Sequence, residues 1–575
     1  MNSLNISLII LVIGLFLLTS CSKQQGETPL IPEFSSDKVN IMAGEAISFS
    51  DISEGNVTSR EWVLEGGRPA TTNVKNPVVI YDQPGTYAVR LTVNSASRSE
   101  TITKQGYVQV GYAALKADFD VDKLIVLTGE EVTFSDKSNG MINTWKWEFI
   151  SSEGIILHAD TQHPVISFQQ AGMYTVKLTV ANPNHSDIII KEDYIEVKPY
   201  EAPEMHTTLI FTQGMEGYHS YRIPCLAKAT NGNLIAFAEG RKHTSLDYGD
   251  IDLVYKLSYD NGQNWSALKI LIDEGEGTWG NPTAVTDQET GRIWLFLSWN
   301  GDSHAQNGGS FGGKTYAPID TWGQRRVFTI YSDDHGETWT SPIDRTTALL
   351  PPGYTWDAMG PGIGIQVEKG TAKGRLIIPA GGRNIYSDDH GITWHYKTIP
   401  GGTFEGTIVE LNNGLLMRND RGVAGTWANS RTRFISLGTI EGSFSAFSGD
   451  VNLPDSRCQA SIIRYSWSPS CILFLNTAND SGDGMPYRCR MTVRISYDEG
   501  VNWAVSRLLY PELTPVETCE QGYGGYSSMI LTADNYIGAL VEHNTNPTAG
   551  AAINRRHSIH FNKFNLNWVL NGSSE

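Results

Sequence analysis

The chain has 575 residues, more than one ordinary domain holds, so we expect several domains. Its formal net charge of -18 argues against nucleic acid and anionic membrane surfaces as binding partners. The 57 Gly and 24 Pro, together with 15 Trp, 24 Tyr and 19 Phe, are typical of a turn-rich, all-β protein.

The N-terminus has the pattern of an export signal. Residues 6–18 form an apolar run that is too short for a stable transmembrane helix. The next residues, Leu18–Cys21, resemble a bacterial lipobox, which implies cleavage before Cys21 and acylation of its thiol. The alternative is a simple secretory signal with an incidental cysteine. We therefore expect a signal peptide over 1–20, a tether over 21–30 and an exported lipoprotein at the outer membrane, the cell surface or the periplasmic side.

Two matching segments occupy the region before residue 200. Five residues recur 85 positions later: Phe34, Gly44, Phe49, Asp51 and Trp62 as Phe119, Gly129, Phe134, Asp136 and Trp147. Dense alternation of apolar residues predicts short strands in a β-sandwich. The pattern Gly-x-Tyr-x-Val-x-Leu-x-Val, at 85–93 and 172–180, resembles the PKD family of immunoglobulin-like modules. We place the modules at 31–112 and 113–200 and expect them to act as a stalk, with carbohydrate binding as the alternative.

After residue 203, the octapeptide Ser-x-Asp-x-Gly-x-x-Trp occurs four times; we call it the Asp box. The copies begin at Ser258, Ser332, Ser387 and Ser496. Asp and Ser can bond their own backbone, Gly supplies a positive φ and Trp packs on the sheet, so each box predicts a β-hairpin turn. The last gap, of 109 residues, is wide enough for a repeat that has lost its box. Repeats of this size predict a β-propeller over 203–575.

The tetrapeptide Tyr221-Arg222-Ile223-Pro224 stands ahead of the boxes. With them it resembles the signature of sialidases, glycoside hydrolases that remove terminal sialic acid with retention of configuration. The resemblance covers residues 205–572 and implies a six-bladed propeller whose first and last strands, near 207–212 and 558–564, close the ring. It implies an exo-α-sialidase that acts on sialylated glycoproteins, glycolipids or oligosaccharides. The alternatives are a trans-sialidase or intramolecular variant, and a non-catalytic adhesin that binds sialoglycans.

Sialic acid carries a carboxylate on its anomeric carbon, and planar guanidinium groups match a carboxylate. Sialidases bind this carboxylate with three arginines, and the resemblance assigns them to Arg222, Arg421 and Arg488. Arg418 is the rival of Arg421, and Arg490 is the rival of Arg488.

The nucleophile of the family is a tyrosine, because a carboxylate nucleophile would be repelled by the carboxylate of the substrate. Tyr526 matches this position, with Tyr523 as the nearest alternative. A phenol has an ordinary pKa of about 10 and needs a base. Glu405 resembles that base, with Glu410 as its competitor. Asp247 resembles the acid/base that protonates the leaving oxygen and then activates water.

Three further residues have supporting roles in the resemblance. Arg241 matches a substrate contact, and Glu542 matches the carboxylate that orients the first arginine. Asn281 stands where many relatives have an Asp that touches the sugar hydroxyls, so one hydrogen-bond role is altered.

Cysteine spacing gives no sign of a metal or redox site. The five cysteines after residue 21 contain no CxxC pair, and their odd number leaves at least one unpaired: Cys225, Cys458, Cys471, Cys489 and Cys519. Their pairing stays open. We expect no metal and no cofactor.

Overall fold

The structure, a computed structural model, describes residues 29–483, 487–510, 524–544 and 557–571. Its regular secondary structure is almost entirely strand, which confirms the predicted all-β class. By compactness the described residues divide into two units: the first holds those before Phe119 with Lys137–Lys146 and Leu178–Ile189, and the second holds the others. The predicted signal peptide, Cys21 and most of the tether lie outside the described residues, as does Tyr523. In the described ranges, no helix has the length and apolarity needed to cross a bilayer.

The first module is a β-sandwich, as predicted. Its strands are β1 (Phe34–Ser36), β2 (Asn40–Met42), β3 (Ala46–Asp51), β4 (Ser59–Leu64), β5 (Gly67–Arg68), β6 (Thr71–Thr72), β7 (Val78–Tyr81), β8 (Gly85–Asn94) and β9 (Ser99–Gly111). They form one sheet of order β1-β3-β7-β5 and one of order β2-β9-β8-β4-β6. Between them lies an apolar core in which the rings of Phe34 and Trp62 meet edge to face, with centroids 5.3 Å apart.

The second module repeats this plan. Its strands are β10 (Phe119–Val121), β11 (Ile125–Leu127), β12 (Glu131–Asp136), β13 (Thr144–Ser151), β14 (Ile156–Ala159), β15 (Val165–Ser167), β16 (Gly172–Ala181) and β17 (Ser186–Lys198). They form sheets of order β10-β12-β15 and β11-β17-β16-β13-β14. Phe119 lies opposite Asp136, just as Phe34 lies opposite Asp51, so the sequence repeat is also a repeat of strand register.

The region after residue 203 begins with β18 (Met205–Phe211), β19 (Ser220–Lys228), β20 (Leu234–Arg241), β21 (Ile251–Ser258), β22 (Lys269–Ile272), β23 (Thr278–Thr286), β24 (Ile293–Asn300), β25 (His304–Ala305), β26 (Asn307–Phe311), β27 (Lys314–Pro318), β28 (Arg325–Ser332), β29 (Ile343–Asp344), α1 (Thr346–Leu349) and β30 (Gly362–Ile363). It continues with β31 (Ile365–Gln366), β32 (Leu376–Ala380), β33 (Arg383–Ser387), β34 (His395–Thr398), β35 (Thr403–Glu410), β36 (Leu416–Gly422), α2 (Ala424–Ser430), β37 (Thr432–Gly438), β38 (Ser448–Pro454), β39 (Ser461–Trp467), β40 (Ser470–Thr477), β41 (Met491–Ser496), β42 (Val505–Leu508), β43 (Ser527–Leu531), β44 (Ile537–Asn544), β45 (His557–Phe564) and α3 (Leu566–Leu570).

These strands form antiparallel groups of four in the arrangement of a β-propeller. In the described residues the groups are β19–β22, then β23 and β24 with β28 and β29, then β31–β34, β35–β38, β39–β42, and β43–β45 with β18. The first two groups are joined by a parallel pairing of β21 with β23, at Ile251 and Thr278. In the last group Met205 of β18 lies opposite Phe564 of β45, so the first and last strands pair as expected. The group β35–β38 fills the wide gap between the third and fourth Asp boxes. The count of six blades stays a prediction.

Each Asp box closes the turn between the third and fourth strands of its group. In the first box Ser258 Oγ donates to Asp260 and accepts from the Gly262 amide, both at 2.8 Å. The other three boxes repeat both bonds at 2.8 to 2.9 Å. Gly262 has a φ of 87°, and a Cβ there would lie 2.1 Å from the ring of Phe561 on β45. The glycine therefore makes the turn possible and lets the neighbouring group approach.

Candidate active site

The site lies where the first strands of the groups begin. The strands β19, β23, β35 and β43 are first strands, and β19 contacts both β23 and β43. Arg222, Asn281 and Glu405 stand near the starts of β19, β23 and β35, and Tyr526 directly precedes β43. Because first strands run side by side, residues at their starts meet at one end of the ring, although the sequence separates Arg222 from Tyr526 by 304 positions.

Tyr526, Glu405 and Arg421 form one hydrogen-bonded cluster. Tyr526 Oη donates to Glu405 and lies 2.6 and 2.7 Å from its two carboxylate oxygens. Arg421 Nη1 donates to Tyr526 Oη at 2.8 Å and to Glu405 Oε2 at 2.5 Å. Burial, helped by the charge of Glu405, raises the pKa of Tyr526 well above its ordinary range. The phenol is therefore neutral and in contact with a carboxylate that can accept its proton.

Glu542 fixes Arg222 beside this cluster. Arg222 Nε lies 3.2 Å from Glu542 Oε1, and Arg222 Nη2 donates to Oε2 at 3.3 Å. The backbone amides of Ile223 and Tyr526 donate to the same carboxylate at 2.9 and 3.2 Å. Glu542 is fully buried, and these donors compensate for the loss of its hydration. The carboxylate thereby ties β19 to the segment that carries Tyr526.

Two guanidinium groups face the ring of Tyr526. That of Arg222 lies 5.3 Å from the ring centroid and that of Arg488 lies 5.2 Å from it. Together with Arg421, which binds the phenol oxygen, the three predicted arginines surround one side chain. The ring contact favours Arg488 over Arg490.

The neighbouring residue, Cys489, is disulfide-bonded, while Cys225, Cys458 and Cys471 are buried free thiols.

The structure separates two rivals from the site. Arg418 is fully buried, and its Nε and Nη2 donate to Asp420 at 2.9 and 3.0 Å, so it belongs to an internal ion pair. Glu410 accepts from the backbone amides of Glu368 and Lys369 at 2.7 and 3.1 Å, at the opposite end of β35 from Glu405. Both rivals stabilise the fold.

Asp247 lies on the loop between β20 and β21 and contacts two arginines. Its Oδ1 accepts from Arg222 Nη1 at 2.9 Å and from Arg241 Nη1 at 2.7 Å, while 74% of its side chain is exposed. Packing around the carboxyl favours its neutral form, but the charges of Arg241 and Arg222 outweigh this and lower the pKa of Asp247 below its ordinary range. Asp247 is therefore ionised, and it is paired with Arg222, one of the three arginines predicted to bind a substrate carboxylate.

Arg241 and Asn281 are both held by Glu239, which the sequence reasoning missed. Arg241 Nη2 donates to Glu239 Oε2 at 2.6 Å, and the Asn281 amide donates to Glu239 Oε1 at 3.0 Å. The side chain of Asn281 accepts from Arg325 Nη2 at 2.8 Å. Burial lowers the pKa of Arg325 to about 10. Asn281 is thus fixed through both its backbone and its side chain.

A usable signal existed for only one of the missed residues. Glu239 stands two positions before Arg241 on β20, and alternation along a strand puts both on the same face. Arg325 lies at the start of β28 with no motif around it, and His557 opens β45. His557 is buried, and burial, reinforced by the nearby charges of Arg222, Arg241 and Arg488, lowers its pKa far below the usual range.

No cluster of three or more His, Cys, Asp or Glu side chains able to hold a metal occurs in the part of the chain that the structure describes. A cavity of about 550 Å³ lies among Lys228, Glu410 and Arg464, where the first strands end. Apart from the competitor Glu410 it contains none of the predicted site residues, which lie at the opposite end of these strands.

Comparison with known proteins identifies both parts of the chain. The sequence profile of the BNR repeat-like domain matches residues 232–539, and profiles of the PKD domain match 31–110 and 117–187. An exo-alpha-sialidase of Aspergillus fumigatus is 42% identical over 371 residues, covering 62% of this chain and 86% of that protein. One of Arthroderma benhamiae is 42% identical over 370 residues, with the same shares covered. Among solved structures, the intramolecular trans-sialidase of Ruminococcus gnavus superimposes with a TM-score of 0.51 at 19% identity, covering 63% of this chain and 98% of that one.

Proposed function

Because the chain belongs to the sialidase family, we propose that it hydrolyses terminal α-linked sialic acid from glycoconjugates, with retention of configuration and Tyr526 as the nucleophile. The observation that carries the proposal is the contact of Tyr526 Oη with Glu405 inside a ring of three arginines. A phenol beside a buried carboxylate is a base-activated nucleophile, and three guanidinium groups match an anionic substrate.

In the first step, Tyr526 Oη bonds to the anomeric carbon and the glycosidic carbon–oxygen bond breaks. Glu405 accepts the phenol proton, and Asp247 donates a proton to the leaving oxygen. The neutral phenol approaches a carbon that bears a carboxylate without the repulsion that a carboxylate nucleophile would meet.

In the second step, water attacks the anomeric carbon and the bond to Tyr526 breaks. Asp247 accepts a proton from the water, and Glu405 returns its proton to the phenolate. Two displacements at the same carbon restore its configuration, so the α-anomer is released first.

Binding of substrate changes the partners of Asp247. In the free protein, Arg222 and Arg241 hold Asp247 as a carboxylate, which is the wrong state for an acid. The substrate carboxylate competes for Arg222, so Asp247 loses one cation and gains a negative neighbour. Both changes raise the pKa of Asp247 and favour the proton that the first step needs.

This exchange is tested by ¹³C NMR titration of the Asp247 carboxyl. Without ligand, we expect a pKa below the ordinary 3.8. With saturating sialic acid, whose carboxylate pairs with Arg222, the pKa should rise. Asp250, on the same loop but bonded to Lys242, is the matched control. An unchanged pKa of Asp247 would contradict the exchange.

The nucleophile is tested by Tyr526→Phe, which keeps the ring that faces Arg222 and Arg488 but removes the oxygen. We expect hydrolysis of a fluorogenic sialoside to fall by 1,000-fold or more, on the order of what removing a nucleophile costs. Tyr259→Phe removes a hydroxyl from an exposed tyrosine outside the site and should be neutral. Full activity of Tyr526→Phe, or an inert parent protein, would refute the proposal.

The reaction products distinguish hydrolysis from the alternative functions. An adhesin would bind sialoglycans and release nothing. A trans-sialidase would deliver sialic acid to an acceptor sugar, and an intramolecular variant would release an anhydro sugar, whereas hydrolysis gives free sialic acid. NMR of the reaction mixture distinguishes these and reports which anomer appears first.

The lipid anchor is a separate proposal that rests on the lipobox pattern at Cys21. Mass spectrometry of the N-terminal peptide from the membrane fraction should find an acylated Cys21. Cys21→Ala should release the protein from that fraction, and an unmodified cysteine would refute the anchor.

A further inference from the structure

The loop that carries Asp247 is fixed at its base. The loop spans residues 242–250, between β20 and β21. Lys242 and Asp250, its first and last residues, form an ion pair at 3.0 Å. Arg241 Nη1 donates to the carbonyl of Ser245 at 2.5 Å. These contacts set the two ends and the first half of the loop.

A neighbouring segment, which we call the excursion, packs against the second half of the loop. Residues 301–324, between β24 and β28, leave the propeller sheet and form a small sheet of order β25-β27-β26. Tyr316 on β27 is buried, and its ring lies 4.8 Å from the ring of Tyr248, the residue after Asp247. A Cβ on Gly309 of β26 would lie 2.4 Å from Tyr248 Oη. Tyr248 is therefore packed between Tyr316 and the backbone of β26.

The excursion itself is anchored to the propeller. Asn300 Nδ2, at the end of β24, donates to the carbonyl of His304 at 2.9 Å. Lys314, the first residue of β27, pairs with Glu276 outside the excursion at 2.7 Å, and with Asp302 inside it at 3.1 Å. A cavity of about 20 Å³, lined by Tyr248, Phe311 and Tyr316 among others, lies between loop and excursion. Because loop and excursion are in contact, a shift of the excursion would displace Tyr248.

We propose that Tyr248 and Tyr316 are positioning residues that place the Asp247 carboxyl for proton transfer to the leaving oxygen; the inference rests on the proposed function. Asp247 is mostly exposed, and its carboxylate accepts hydrogen bonds from Arg222 and Arg241. When a substrate carboxylate takes Arg222, one of these contacts is lost. The position of Asp247 then depends on the remaining contact with Arg241 and on Tyr248, which is packed against the excursion.

The chemistry supplies a selective readout. A sugar hydroxyl is a poor leaving group and needs the proton of a general acid, whereas 4-nitrophenolate leaves without one. Displacing a general acid therefore slows hydrolysis of a sugar-linked substrate, by roughly 100- to 10,000-fold when the acid is removed outright. A merely structural defect lowers turnover of both substrates alike.

The experiment compares kcat/KM of the full chain on sialyllactose and on 4-nitrophenyl sialoside. Asp247→Ala sets the reference for loss of the acid. For Tyr316→Ala, which removes the ring beneath Tyr248, we expect a loss of about 10- to 100-fold on sialyllactose and less than about threefold on the aryl substrate. Gly309→Val, whose Cβ collides with Tyr248 Oη, should show the same selectivity. Tyr316→Phe keeps the ring contact and should retain activity on both, as should Tyr259→Ala, at an exposed ring outside the loop.

Equal losses on both substrates in Tyr316→Ala and Gly309→Val, or no loss in either, would overturn the inference. If Asp247→Ala loses activity selectively on sialyllactose but Tyr316→Ala and Gly309→Val lose it equally on both substrates, only the positioning role is refuted. An unselective Asp247→Ala, or an inert parent protein, refutes the role of Asp247 in the proposed function and the inference with it.

Discussion

The two PKD modules share one fold, yet the same strand differs in what surrounds it. In the first module β2 pairs in parallel with β9, with Asn40 opposite Gln109; in the second, β11 pairs in parallel with β17, with Ile125 opposite Glu196. Asn40 is exposed and Met42 is 46% exposed, but their counterparts Ile125 and Leu127 are 0% and 1% exposed. The difference is therefore not one of strand pairing.

The strand β11 is covered by the propeller. Ile125 and Leu127 belong to one apolar cluster with Leu473 and Ile495 of the group β39–β42. Tyr497 Oη, also from that group, donates to the carbonyl of Ile125 at 3.2 Å. A stalk that only sets a distance would need no shared core. The second module therefore has a contact that the expected spacer role does not require. Homologous modules in one chain can thus differ in whether they share an apolar core with the propeller.

The largest effect should come from deleting the modules in two steps. Removing 31–112 leaves β11 and its partners intact, so we expect the thermal unfolding midpoint of the remaining protein to stay within about 2 °C. Removing 31–200 exposes the apolar cluster around Leu473, and the midpoint should fall by roughly 10 °C. Calorimetry of both variants checks this. Equal midpoints would mean that the second module is as dispensable as the first.

A matched pair of substitutions sharpens the comparison. Leu127→Asn puts an amide into the shared core, and we expect the free energy of unfolding to fall by about 3 kcal/mol. Met42→Asn changes the equivalent, half-exposed position and should cost less than about 1 kcal/mol. Urea titrations followed by tryptophan fluorescence measure both. Similar losses at the two sites would contradict the distinction drawn from burial.

The smallest effect should come from Tyr497→Phe, which removes one hydroxyl from the junction. Tyr497 is the donor to the carbonyl of Ile125, so we expect a loss of about 1 kcal/mol in the free energy of unfolding. Added to a chain that lacks 113–200, the same substitution should have no effect, because its partner is gone. A loss of the same size in both backgrounds would show that the hydroxyl acts elsewhere.

Much of this could be read from the sequence, and the failures have physical causes. The order of Arg222, Glu405 and Tyr526 along the chain predicted residues that meet in space, since a propeller brings the starts of its first strands together. Arg325 could not be found, because a buried ion's partners come from other strands and leave no local pattern. The docking of β11 did leave a local pattern. Ile125-Val126-Leu127 is wholly apolar, as expected of a strand buried on both faces, whereas its counterpart Asn40-Ile41-Met42 begins with a polar residue.

The pairing of β18 with β45 has a consequence for biosynthesis. Met205 and Phe564 come together across 359 positions, so the ring stays open until residue 564 has left the ribosome. Contacts this distant in sequence form slowly. Tyr526 and Glu542 arrive with the same late segment, so a chain interrupted before it would lack the closing strand and the proposed nucleophile together. Premature termination would thus give an inactive, open sheet, never a folded enzyme with partial activity.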